Sequence, residues 1–139
     1  YPDSVTDKSL THYGPTSSQV NLKRFFEDKD INTDFNKGYC IHLITDYLFY
    51  NKFLTIFSSN YIYNDYDILN KELKRKFEVK IPQKVEDKVF YTEGETRILN
   101  LKDTIKFIEE TSSNNINDIK KAVFSGDKDW LEIRPLKRI

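Results

Sequence analysis

The stretch from about Phe35 to Phe57 constrains the fold more than any other part of the chain. Apolar residues, Leu43, Ile44, Leu48 and Phe49 among them, recur around most of a helix's circumference here. A helix with so little polar face belongs in the middle of a bundle, not on its surface. Gly38 costs about 1 kcal/mol in a helix interior, so it marks either a close neighbour or a tolerated first turn. The expectation is a mainly α protein, a single-domain helical bundle over residues 1–139 with a long central helix.

The remaining helices follow from caps and periodicity. Thr16 or Ser17 caps a first helix carrying Val20, Leu22, Phe25 and Phe26, and Thr33 or Asp34 caps the long one. Residues 58–65 read as a polar, Tyr-rich turn. A third helix is predicted over 67–77, with Ile68, Leu69, Leu73 and Phe77 inward; Pro82 prevents its continuation. Residues 79–99 alternate at Val79-Lys80-Ile81 and Lys88-Val89-Phe90-Tyr91, as strands do. Asn100 caps a helix to about Thr111, and Asn114 or Asn115 opens a last one that Gly126 ends. The tail, with Trp130 and Leu136, packs back on the body. Residues 1–16, rich in Pro, Gly, Ser and Thr, form a loop.

Composition narrows the function. Hydrophobic residues make up 38 % of the chain, including nine Tyr and ten Phe, enough to build a core. The 22 basic residues balance 22 acidic ones, so no global field favours nucleic acid or an anionic membrane. No stable nucleic-acid partner is indicated. A single cysteine, Cys40, excludes an intrachain disulfide framework. It lies two residues before His42, about 200° away around a helix, and reads as a small core residue. The four glycines are isolated, so no phosphate-cradling loop is present. No run of 18 apolar residues spans a bilayer. The opening Tyr1-Pro2-Asp3 lacks a Met and reads as a chain without its true N-terminus. The expected location is cytoplasmic, or secreted if a signal segment precedes Tyr1.

Only two histidines are available, so imidazole chemistry must use His12, His42 or both. His42 and Asp46 stand four apart, one turn along one helix face. Such a pair either closes on one metal ion or forms a structural hydrogen bond. Asp3 and His12 lie in the leading segment, 1–16, a loop expected to approach the metal. Where that loop crosses the long helix, Asp3, His12, His42 and Asp46 converge. Two imidazoles and two carboxylates suit zinc, and also iron or manganese.

The order Pro2-Asp3, Thr11-His12-Tyr13 and Gly38-Tyr39-x-x-His42-x-x-Thr45-Asp46 resembles the zinc-dependent phospholipase C superfamily, which includes single-strand-specific zinc nucleases. The resemblance covers residues 1–57. It implies a helical fold with zinc held by Asp3, His12, His42 and Asp46, Asp46 both ligating and orienting in catalysis. It further implies a phosphoester hydrolase using a metal-activated water, with a phospholipid among the candidate substrates. No His follows His42, so the pattern supports one ion rather than the superfamily's cluster; a second would need carboxylates such as Asp7, Glu27 or Glu93. Phosphohydrolases with an adjacent His-Asp pair are disfavoured, since no His is followed directly by Asp. The alternative is a non-catalytic helical domain with a structural or vestigial metal site. The Tyr47–Tyr66 aromatics read as packing, and the basic runs near Lys71 and Arg134 as solvated faces.

Overall fold

The computed structural model describes residues 9–78, 80, 83–87 and 89–139. Helix dominates, at 63 % of the described residues. Three helices come first: α1 (Ser9–His12), α2 (Leu22–Asp28) and α3 (Asp34–Leu48). A short strand β1 (Ile56–Phe57) leads into α4 (Ser59–Lys76) and a single turn, α5 (Gln83–Glu86). Then come α6 (Leu101–Ser112), α7 (Ile116–Phe124), α8 (Lys128–Leu131) and β2 (Lys137–Arg138). These residues fall into two compact units. One holds the described chain up to Thr55 with Glu110–Leu136; the other holds Ile56–Glu109 and Lys137–Ile139.

The first unit is built on α3. Thr33 caps it, its hydroxyl accepting from Asn36 N at 3.1 Å. Cys40, Leu43, Ile44 and Tyr47 are buried at i, i+3, i+4 and i+7, in one core with Leu22, Phe25 and Phe26 of α2 and Ile119 and Val123 of α7. Each large apolar side chain buried here contributes roughly 1.5–3 kcal/mol. Burial is confined to that stripe, however: Phe35 is 73 % and Ile41 53 % exposed. The helix also stops earlier than expected. It passes into a π-helical turn at Phe49–Phe53, and the Leu54 N–H bonds to the Phe49 carbonyl at 2.9 Å. Asn51, buried in that turn, accepts from Arg134 N at 2.8 Å. Tyr47 donates to the Glu132 carbonyl at 2.8 Å and stacks on Trp130. The tail of this unit therefore packs back, as its apolar residues imply.

The first predicted helix is split. Ser17–Gln19 makes one 3-10 turn, Val20 is extended, and α2 begins only at Leu22, with Asn21 accepting from Arg24 N. The asparagine side chain caps better placed than Thr16, whose hydroxyl makes no cap bond.

In the second unit α4 starts at Ser59, so the turn expected at 58–65 is helix. Ile62, Asp65 and Leu69 are its buried residues, at i, i+3 and i+7. The polar character of 58–65 hid that stripe, because one of its members is an aspartate. The Asp65 carboxylate accepts from Arg97, Ile98 and Leu99 N–H at 3.0, 2.7 and 2.9 Å, which fixes the otherwise irregular chain before α6. The alternating stretches at 79–91 form no strand among their described residues; Val79, Ile81 and Lys88 lie outside these. Asn100 caps α6, accepting from Asp103 N at 3.1 Å. Strands β1 and β2 pair in parallel, Ile56 with Lys137 and Phe57 with Arg138.

Candidate metal centre

Two elements of the first unit make the site. The chain at Ser9–His12 is a helical turn rather than the loop expected there. Behind it Tyr13 takes a left-handed backbone, φ 59°. Gly14 then passes so close to Gln19 that a Cβ would fall on its carbonyl oxygen, and Asn21 N–H bonds to the His12 carbonyl at 3.2 Å. This tight return holds His12 against α3. On α3, Tyr39, His42 and Asp46 stand at i, i+3 and i+7, one stripe facing one way. The Tyr39 hydroxyl donates to the Thr11 carbonyl, and Asp46 meets the His12 ring one and a half to two turns further on.

One carboxylate oxygen is the focus. Asp46 Oδ2 lies 3.0 Å from His12 Nε2 and 3.2 Å from His42 Nε2. The two rings meet edge to face with centroids 5.5 Å apart. One donor atom from each of His12, His42 and Asp46 lies within 4.8 Å of the others. Zinc bound tetrahedrally to such donors would set neighbouring ligand atoms about 3.3 Å apart. The two nitrogen–oxygen separations are close to that value, and the two imidazole donors lie within 4.8 Å of each other. Three protein donors would also leave one tetrahedral position open.

Burial differs across the three. The His12 side chain is inaccessible, whereas Asp46 and His42 are 20 % and 29 % exposed, so the centre is reached from the Asp46–His42 side. Burial alone would raise the Asp46 carboxyl; hydrogen bonds and charge from His12 and His42 outweigh it and hold the carboxyl below its ordinary value. His12 Nδ1 lies 3.0 Å from the Thr11 hydroxyl. A hydroxyl can donate to that nitrogen while Nε2–H faces Asp46, or accept from it while a bare Nε2 faces a cation. Thr11 therefore serves His12 with or without an ion. Burial, followed by the hydrogen bond to Asp28 at 2.6 Å, raises the Tyr13 hydroxyl; burial likewise raises that of Tyr39.

Of the four ligands expected from sequence, His12, His42 and Asp46 are brought together. Asp3 lies outside the described residues, as does Asp7. Glu27 is exposed on α2, and Glu93 belongs to the second unit. Cys40 is fully buried in the core, its thiol pushed by burial up to about 12, as befits a packing residue. The roles of the Thr11 hydroxyl and the Tyr39 hydroxyl were not legible; the sole signal was their closeness in sequence to His12 and His42. No protein-family model, curated protein or solved structure matches this chain.

Proposed function

We propose that His12, His42 and Asp46 hold one divalent metal ion, zinc foremost, with iron or manganese as substitutes, and that the protein is a metal-dependent phosphoester hydrolase resembling a reduced phospholipase C. The observation that carries this reading is the meeting of two imidazole nitrogens on a single carboxylate oxygen at 3.0 and 3.2 Å. Neutral imidazoles and one carboxylate leave a divalent ion a net positive charge, which favours a phosphate ester. When bound, such an ion supplies a Lewis acid for a phosphoryl oxygen and lowers the pKa of a water. The chain's own part is positional. Thr11 and Asn21 fix His12, Tyr39 pins the Thr11 backbone, and Asp46 stays ionised because two imidazoles face it.

A second reading, a metal site without catalysis, is favoured by the complete burial of the His12 ring, which ties α1 to α3 as a structural link would. One experiment separates them. Full-length protein purified without chelator is analysed for metal and assayed on an aryl phosphodiester, alongside His42→Ala. The hydrolase reading expects about one equivalent of metal, lost in the variant, and turnover that chelator abolishes. Metal without turnover selects the structural reading. Metal-free wild type of the same stability as His42→Ala rejects both.

A further inference from the structure

We propose that a cavity beside the His12 segment is a binding site for an organic phosphoester, the phosphate held by Lys23 and Arg24 and the apolar group lying against Trp130 and Leu131. The cavity has a volume of about 490 Å³ and lies within the first unit, between the 13–24 segment and the chain around α8. Small-molecule sites commonly run from about 300 to 1,000 Å³. None of His12, His42 and Asp46 lines it, so the inference goes beyond the metal reading and stands or falls separately.

Charge is the first argument. The chain carries equal numbers of acids and bases, yet the described residues lining this cavity include two cations and no carboxylate. Neither Lys23 nor Arg24 has an ion-pair partner among the described residues. A larger cavity in the second unit, about 870 Å³, shows the contrast. Its Lys71, Lys74 and Arg75 are matched by Glu72, Glu86 and Glu93, with Lys74 paired to Glu86 at 3.1 Å and Arg75 to Glu72. That cavity has no reason to prefer an anion; the smaller one does. An ammonium and a guanidinium in one cavity lining match a doubly charged, several-oxygen group better than a single carboxylate.

Apolar lining is the second argument. Trp130 and Leu131 supply a wall that inorganic phosphate would leave unused. Trp130 is held in place by its stacking on Tyr47, centroids 6.0 Å apart at 27°. A rigid ring of this kind favours a flat partner.

Trp130 is the chain's single tryptophan, so its fluorescence reports on the cavity directly. The test titrates full-length, chelator-treated protein with phenyl phosphate, inorganic phosphate and phenol. Phenyl phosphate is expected to give a saturable change, weakened by added potassium chloride. Inorganic phosphate and phenol should each bind at least tenfold more weakly. The double variant Lys23→Gln/Arg24→Gln, at two exposed positions, should lose at least tenfold in affinity with an unchanged denaturation midpoint. No saturable change, affinity indifferent to salt and to the double variant, or inorganic phosphate binding as tightly as phenyl phosphate would each overturn the site. Because the protein is metal-free, loss of the metal reading leaves this outcome untouched.

Discussion

Asp65 is 1 % exposed, and its two carboxylate oxygens take three backbone N–H groups. A buried charge is tolerable only when so fully bonded, and removing the acceptor strands the donors that faced it. Asp65→Ala should therefore destabilise the protein by about 3 kcal/mol, read as a lowered urea midpoint, with Asp65→Asn milder because one acceptor survives. A variant as stable as wild type would mean water replaces the carboxylate without cost. The same scale explains what could be read at the candidate metal centre. His42 and Asp46 sit one helical turn apart on any helix, so their meeting needed only the sequence. His12 is 34 positions from Asp46, and nothing local says that its ring arrives there. The Thr11 hydroxyl was hidden for the same reason, since its use depends on where the His12 ring points.

Among the elements, helix starts marked by a side-chain cap were legible: α3 from Thr33, α6 from Asn100 and α7 from Asn115 begin where expected. Those that departed did so for tertiary reasons. Helix α4 extends back to Ser59 because Asp65, polar in sequence, finds three partners 32 to 34 residues away. The π turn at Phe49–Phe53 ends α3 at Leu48, and there Asn51 exchanges helix register for contact with the Arg134 backbone. The return from α1 to α2 depends on Gly14, at which a methyl group would strike the Gln19 carbonyl. Gly14→Ala should cost about 1–3 kcal/mol, as overpacking does, and should weaken the proposed metal binding as well, since the return positions His12. Calorimetric unfolding and a cobalt titration check both effects; a variant that keeps stability and affinity would show the return is not tight.

For the molecule as a whole, Cys40 gives a convenient reporter. It is fully buried in the core that α2, α3 and α7 share, and burial lifts its thiol to about 12, so folding leaves almost no thiolate near neutral pH. At pH 8 an alkylating reagent should modify native protein only as fast as that unit opens, and react promptly in denaturant. Rapid native alkylation, followed by intact mass, would contradict the burial.

By itself the sequence determined the helical class, most caps, the core membership of Cys40, the absence of a long apolar span and the His42–Asp46 pair. All of these depend on local periodicity, and residues within one or two turns meet wherever the helix goes. Only the tertiary structure decided that His12 shares the oxygen of Asp46, that Asp65 is a buried anchor, and that Lys23 and Arg24 stand in a cavity with Trp130. Those contacts join residues 30 to more than 100 positions apart, and their geometry comes from how the core packs, which no single segment encodes.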